Sequence, residues 1–461
     1  MGKEQKKMAL GATSFVFLFI LTCLYAALFT SNLTPFESWK QKLSDWRGIH
    51  NKKADRTIEI NESVKLLLRR LVRGEDRIKL DTTGFSCHTD LHSELCLVNK
   101  PVRIDNSGLT IYVPSSQSYV NRTLKPYANR DDGTAMSRVS PVKIVNGDVN
   151  APACRITHDA PAVVFSSGGF TGNVFHEINE VIIPLFITTR HFRSRLKFLI
   201  TDYKPWWVSK YSKVLTHLSH YEAINPAANG NAVHCFPGAV IGLVYHGKLA
   251  LNATDIPGGY SAFDFKHFLR ESYNLKIKNV SEIKREKPIL ILISRKKSRV
   301  VSNENEIVVM MEELGFEVVV TRPNRMSNLN KFAALVNSCS VLVGAHGAGL
   351  TNQVFLPDGA VMVQVVPLGL EWASTNYYGA PTKEMGVQYL EYKIEPEESS
   401  LMQTYGRDHP VITDPASVFA KGYYAARAVY IDAQNLKINV KRFKETVVQA
   451  KELIGRSSPL N

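Results

Sequence analysis

The chain reads as an α/β protein, two Rossmann-like domains set behind an N-terminal transmembrane helix and a stem. Three observations predict this. Short apolar, β-branched runs recur in the second two thirds of the chain: AVVF (162–165), KFLI (197–200), AVIGLV (239–244), ILILIS (289–294), FEVVV (316–320), SVLVGA (340–345) and AVMVQVV (360–366). Helical stretches fall between several of them, and the strand–helix–strand–helix–strand order of 289–345 argues for a parallel sheet with right-handed crossovers. Residues 8–29, MALGATSFVFLFILTCLYAALF, carry no charge over about the 20 residues a helix needs to span a bilayer.

The N-terminal elements follow in order. Lys3, Lys6 and Lys7 precede the apolar run, so residues 1–7 read as a cytosolic tail and 8–29 as a signal anchor, with the body luminal. A cleaved signal peptide is the rival, but its apolar region runs only about 7–15 residues before an A-x-A-like site, and neither feature fits. Residues 30–84 read as a luminal stem with one amphipathic piece, ESVKLLLRRLVRGEDR (62–77). Glycosylation sequons at Asn61, Asn121, Asn252 and Asn279 suit a luminal body, whereas that at Asn32 lies too near the membrane. Five cysteines lie beyond the span, Cys87, Cys96, Cys154, Cys235 and Cys339. An odd count predicts two bridges and one free thiol, with Cys87–Cys96 the first candidate because the two are close and separated by a polar loop. Buried free thiols throughout are the alternative.

From residue 85 the pattern is α/β. Residues 85–280 form a first domain and 286–400 a second, joined by the charged stretch KNVSEIKREKP (278–288), and 401–461 is a helical segment whose long last helix packs back on the first domain. Asn303 is placed to cap ENEIVVMMEEL, with Glu306 at the reciprocal position and Gly315 as the stop, and Ser327 to open LNKFAALVNS. Two such domains place a ligand cleft between them.

A formal charge of +14 admits nucleic-acid binding, but the chain has no zinc-finger spacing, no RNP-like aromatic motif and no basic tail, so no nucleic-acid partner is expected. An anionic small substrate or an acidic polymer suits the balance better.

In parallel sheets ligands bind beyond the carboxyl ends of the strands, and two such ends in the second domain carry chemistry. After ILILIS come Arg295, Lys296, Lys297 and Arg299; a guanidinium there can grip a diphosphate, although a solvated basic loop is the bland alternative. After SVLVGA comes His346-Gly347-Ala348-Gly349, with Leu350, Thr351 and Asn352 beginning a helix. Glycines let backbone N–H groups approach an anion at a helix N-terminus. This is neither a dinucleotide fingerprint nor a Walker A loop, and a tight turn with a satisfied histidine is the alternative.

The first domain offers SSGGFTGNVFHEINEVIIPLF (166–186), a glycine-rich turn opening a helix with His176, Glu177 and Glu180. His176 and Glu180, four apart, share a helix face, and a carboxylate-oriented histidine makes a general base. A zincin needs H-E-x-x-H, but the fifth residue here is Glu180, so a zinc site is not expected; a plain helix with a buried histidine is the other alternative. The chain also lacks any D-x-D pair to hold a divalent ion on a diphosphate, which leaves that charge to basic side chains and helix dipoles.

Together, FHEINEVIIPLF, LILISRKKSR, VGAHGAGLTNQVFLPDGAVMVQVVPLG and LEYKIEPEESSL resemble the plant branch of glycosyltransferase family 61 over roughly residues 85–455. The resemblance implies the two-lobed GT-B fold, an inverting mechanism without a metal cofactor, and a Golgi type II membrane protein that transfers a pentose from UDP-arabinofuranose or UDP-xylose onto xylan. Transfer of α-1,3-arabinofuranosyl is the first expectation and β-1,2-xylosyl transfer the alternative; a non-catalytic luminal scaffold of the same fold is a third. It further implies that Arg295, with Lys296, and the turn of His346, Gly347, Gly349, Thr351 and Asn352 contact the donor diphosphate. Glu371, in PLGLEW, falls where such folds place a carboxylate on the ribose. His176 and Glu180, ranked ahead of Glu177, would serve the acceptor. Family members often carry His-Asp where this chain has His176-Glu177, which keeps the charge and shifts its reach.

Overall fold

The computed structural model describes residues 19–22, 62–114, 120–147, 150–228, 230–322 and 328–456. The chain divides into two compact units, Met1–Ser63 and Val64–Asn461. Of the apolar segment 8–29 only residues 19–22, which are helical, are described, and Asn61 and Ser327 also lie outside the described residues. Among the described residues no helix is long and apolar enough to cross a membrane.

The second half of the larger unit is the parallel sheet the apolar runs predict. Five strands lie in the order Glu317–Thr321, Ile289–Ile293, Val341–Ala345, Val361–Val366, Gln388–Lys393, every neighbouring pair parallel. In chain order this is 2-1-3-4-5, so the direction of winding reverses between Ile289–Ile293 and Val341–Ala345. Open sheets of this kind bind ligands outside the strand ends at that reversal. Both strands are buried throughout, as a sheet covered on two faces requires.

The first half departs from a Rossmann-like domain. One five-stranded sheet runs Phe85–Thr89, Glu94–Val98, Ala239–Ile241, Ala162–Ser166, Lys197–Thr201, and only its last three strands are mutually parallel. A second, six-stranded mixed sheet runs Val120–Leu124, Val142–Gly147, Thr110–Pro114, Val102–Asp105, Val233–Phe236, Ile156–Thr157. Val98, Val164 and Ile241 of the first sheet share one core with Ile104, Ile111 and Ile144 of the second. The fold is therefore α/β with mixed sheets in its first lobe and a parallel sheet in its second.

Three local expectations change. The amphipathic piece after residue 62 is not a spacer: Val64, Leu68, Leu71 and Val72 are buried, and Leu67 O accepts a hydrogen bond from Nε2 of His191 at 3.1 Å. The C-terminal helix, Val440–Arg456, packs on the second sheet and not on the first lobe, because Phe443, Val447 and Ala450 sit in the core formed by Leu290, Val343 and Val363. Asn303 stands at the N-cap of Glu304–Glu313 but makes no side-chain cap. Its amide instead bonds both backbone groups of Ile438, at 2.8 and 3.0 Å, and so ties the C-terminal segment to the sheet. The helix Leu329–Asn337 is capped by Asn328, whose side chain accepts from Lys331 N.

The cysteines pair as Cys87–Cys96 and Cys154–Cys235, leaving Cys339 free and buried. Asn121 and Asn252 are exposed; Asn279 is half-buried, with its side chain accepting from Ser281 N.

Candidate active site

The reversal point of the second sheet holds two guanidinium groups. The chain leaves Ile289–Ile293 at Ser294, bends through Arg295–Ser298, and returns inward at Arg299, which has a positive φ of 55°. Arg299 is only 8% exposed, yet its Nε has no hydrogen-bond partner among the described residues. Its Nη1 donates to His346 O at 2.8 Å, and Nε of Arg295 donates to Ser298 O at 2.8 Å. Among the described residues neither side chain forms an ion pair with a carboxylate. Two cations with no ion-paired carboxylate among the described residues, one of them buried, form a candidate site for an anion, because buried charge without a close partner is costly. Burial and then the charge of Arg295 lower the pKa of Arg299 to about 10, which still leaves it charged at neutral pH.

The turn after Val341–Ala345 faces these arginines. Gly347 has φ 145°, and a Cβ built there would lie 2.6 Å from Nη1 of Arg295 and 3.1 Å from Nη1 of Arg299. Glycine is required both for that backbone and for the approach of the guanidinium groups. The helix begins earlier than the sequence suggests: Ala348–Phe355 is a 3₁₀ helix that starts directly after Gly347. Gly349 lets it sit against Ile293, whose Cγ2 would be 3.0 Å from an added Cβ. Thr351 and Asn352 lie beneath the turn and not in its mouth. Thr351 is fully buried and donates to the Tyr378 hydroxyl at 3.1 Å, that hydroxyl donates to Gly347 O at 3.0 Å, and Asn352 bonds Gly349 O at 2.8 Å.

His346 is buried, and burial, followed by Arg299 and Arg295, pushes its pKa down to about 3. It is therefore neutral at neutral pH. Nε2 of Gln364 donates to its Nδ1 at 2.8 Å, which leaves the ring proton on Nε2 as a hydrogen-bond donor. A neutral donor beside two cations suits an anionic ligand better than it suits a general base. Lys296 is exposed on the outside of its turn. Glu371, also exposed, opens the short helix Glu371–Ser374 and accepts from Gly369 N at 3.2 Å.

Across from this site, the strand Ala162–Ser166 ends in the glycine turn, and Asn173 caps Val174–His176 by accepting from Phe175 N. The helix then passes through a π turn, Glu177–Ile182, before Ile183–Thr189. Pro184 explains the register: it has no N–H for the carbonyl four residues back, and the ladder opens in front of it. Nδ1 of His176 lies 2.6 Å from Oε1 of Glu180, and the Tyr127 hydroxyl donates to Oε2 of Glu180 at 2.6 Å. Gly169 admits Tyr127, since its added Cβ would fall 2.4 Å from that ring. Glu180 is buried while His176 stays partly open. The carboxylate thus holds the proton on Nδ1 and leaves the Nε2 lone pair for a substrate hydroxyl.

Glu177 takes a different part. It is completely buried, paired with Lys210, and accepts from the Tyr211 hydroxyl at 2.7 Å and from Gly172 N at 2.9 Å. The bond from Gly172 holds the glycine turn, and those from Lys210 and Tyr211 tie it to the segment that follows Pro205, so the geometry gives Glu177 a structural part.

Aromatic rings join the two halves. Phe175 stacks on Tyr377 with ring centroids 5.5 Å apart and meets Tyr378 at 6.1 Å, while Tyr378 packs edge-on to His346 at 5.7 Å. The His176–Glu180 pair and the arginine turn therefore share one cleft. Sequence reasoning noted Arg299 only as one cation of a run and did not assign Gln364, Tyr378 or Tyr127. Those three come from distant segments, and no local pattern marks them.

Known proteins place this arrangement. The profile of glycosyltransferase 61 matches residues 170–363, a span that holds His176, Arg295 and His346. Alpha-1,3-arabinosyltransferase XAT3 of Oryza sativa subsp. japonica is 39% identical over 369 residues, 78% of this chain and 64% of that protein. Beta-1,2-xylosyltransferase XYXT1 of the same organism is 37% identical over 390 residues, 79% of this chain and 83% of that protein. Xylan glycosyltransferase MUCI21 of Arabidopsis thaliana is 33% identical over 399 residues, 82% of this chain and 79% of that protein. The chain thus spans about two thirds of the length of the rice arabinosyltransferase. A solved heptosyltransferase, TibC, aligns at 10% identity and a TM-score of 0.31, over 83% of this chain and 98% of that one, too loosely to bear on the fold. At these identities and coverages, the chain belongs to glycosyltransferase family 61.

Proposed function

We propose that the protein is an inverting, UDP-sugar-dependent pentosyltransferase that decorates xylan. The observation that carries the reading is the pairing of an unneutralised Arg295–Arg299 site with a carboxylate-held histidine in one cleft. The relatives named above support it in two parts: the two rice proteins are named for arabinosyl and xylosyl transfer, and the Arabidopsis protein for glycosyl transfer on xylan. α-1,3-Arabinofuranosyl transfer is the first specific expectation and β-1,2-xylosyl transfer the alternative.

In this reading the first lobe serves the acceptor and the second the donor. Nε2 of His176 takes the proton of the acceptor hydroxyl as its oxygen bonds to the anomeric carbon, and the bond from that carbon to the UDP oxygen breaks in the same displacement. Charge developing on the departing diphosphate meets Arg295, Arg299, the Nε2–H of His346 and the first N–H groups of the 3₁₀ helix. These groups supply the neutralisation that a divalent ion supplies elsewhere, so no metal cofactor is invoked. Lys296 and Glu371 stand on the rim, where Glu371 is proposed to reach the ribose. Residence in the Golgi membrane with a luminal body is part of the same proposal, supported by the uncharged segment 8–29 and the sequons.

The test incubates the purified full chain with UDP-arabinofuranose or UDP-xylose and xylo-oligosaccharides, without divalent ion, and identifies the product linkage. UDP-dependent thermal stabilisation under the same conditions separates a transferase from a scaffold, which gives no shift.

A further inference from the structure

The mouth of the cleft carries aromatic side chains that the donor site does not use. Trp372 is 67% exposed and stands edge-on to Tyr377 at 6.1 Å. Lys248, from the first lobe, places its Nζ 4.6 Å from the Tyr377 ring centre and 5.6 Å from that of Trp372. Tyr423 and Tyr424 are 60% and 67% exposed, with ring centroids 5.5 Å apart, and the Tyr424 hydroxyl lies 3.2 Å from Oγ1 of Thr134 in the first lobe. Both lobes contribute to this strip.

Large rings left in water at a cleft mouth mark a binding surface. Their chemistry narrows the occupant. The anionic end of the donor is matched by Arg295 and Arg299, deeper in the second lobe. The strip offers the exposed rings of Trp372, Tyr423 and Tyr424, with tyrosine hydroxyls and the Lys248 ammonium beside them, which suits an uncharged sugar ring: its C–H face packs on an aromatic face while its hydroxyls bond to the polar groups around it. Its position favours the acceptor, because Tyr377 stacks on Phe175, the residue next to His176. A chain lying along the strip is led toward the base.

We propose that Trp372, Tyr377, Tyr423 and Tyr424, with Lys248, form the platform on which the xylan backbone lies during transfer. This rests on the transferase reading, and the experiment keeps the two apart. The full chain and its Trp372→Ala and Tyr424→Ala variants are compared in three measurements: thermal stabilisation by UDP, binding of xylohexaose by ligand-observed NMR, and KM for each substrate. The expected result is unchanged stabilisation by UDP, weakened xylohexaose binding, and an acceptor KM raised about tenfold by Trp372→Ala with the donor KM unmoved. Acceptor affinity unchanged in both variants overturns the proposal. So does a rise confined to the donor KM, which assigns the rings to the nucleotide base. A wild-type chain that binds UDP but not xylohexaose overturns the platform alone, and one that binds neither overturns the transferase reading with it.

Discussion

Nδ1 of His176 and Oε1 of Glu180 are 2.6 Å apart, and the Tyr127 hydroxyl binds the other oxygen of the same carboxylate. That contact fixes which ring nitrogen faces the cleft. His176→Ala is expected to lower turnover by a factor of about 10²–10⁴, the usual worth of general base catalysis, while UDP binding persists. Glu180→Gln keeps the shape but lets the ring choose either tautomer, so it lowers kcat with little change in donor KM. Equal loss of turnover and of UDP binding in His176→Ala would make the residue structural.

Arg299 donates to His346 O, and its Nε has no hydrogen-bond partner among the described residues, so its removal reaches both halves of the anion site. Arg299→Ala is expected to weaken UDP binding about tenfold to a hundredfold, the range of a hydrogen bond to a charged group. Arg295→Ala acts in the same direction. Lys296→Ala, on the exposed side of the turn, is expected to change UDP binding less than either. Isothermal titration with UDP ranks the three, and an equal or larger loss in Lys296→Ala would relocate the site.

Gly347 is the point where the backbone and both guanidinium groups crowd together. Gly347→Ala introduces a Cβ into the space of Arg295 Nη1 and strains a backbone that favours glycine. The variant is expected to fold with a lowered melting temperature and to lose UDP-dependent stabilisation. Retention of the full UDP shift would show that the arginines need not sit where they do.

The site was legible in proportion to how local its signals are. Arg295 and His346 could be read because each follows a continuous apolar strand, and a glycine-rich turn after such a strand has few uses. Arg299 could not be separated from Lys296 and Lys297, since only a positive φ and the contact with Gly347 turn it inward. The π turn before Pro184 was invisible to a helical period of four, although the His176–Glu180 contact it carries survives. In the first lobe, strands such as VRID and VNRTL are short and half polar, and Val233–Phe236 joins a sheet whose other members end before residue 158. Pairing across that distance in sequence has no periodicity to reveal it.

The disulfides differ in what they constrain. Cys87 and Cys96 face each other on paired neighbouring strands and close a loop of 9 residues, whereas Cys154–Cys235 spans 81. The chain-entropy model gives about 4 kcal/mol or more for the longer loop and less than about 3 kcal/mol for the shorter. Cys154→Ser/Cys235→Ser is therefore expected to lower the melting temperature more than Cys87→Ser/Cys96→Ser, read by calorimetry on the oxidised protein.

Three histidines, His346 and His191 buried and His158 half-buried, make stability depend on pH below neutrality. Burial followed by Arg299 and Arg295 lowers His346 to about 3; burial followed by Lys197 and His234 lowers His158 to about 4; and burial, with Arg70 opposing the bond to Leu67 O, lowers His191 to about 4. Each folded-state pKa lies below the unfolded value of about 6.5, so the unfolded chain binds more protons. Their contribution is complete above pH 6.5 and is lost progressively as pH falls toward 4 and then 3. Denaturant midpoints are expected to fall between pH 6.5 and 5, a window above the range in which ordinary carboxylates titrate. His158→Asn removes one of the three titrating groups, and the slope of unfolding free energy against pH should flatten by close to one proton. A slope unchanged in that variant would mean that His158 takes up its proton in the folded state, against the burial and the Lys197 charge that surround it.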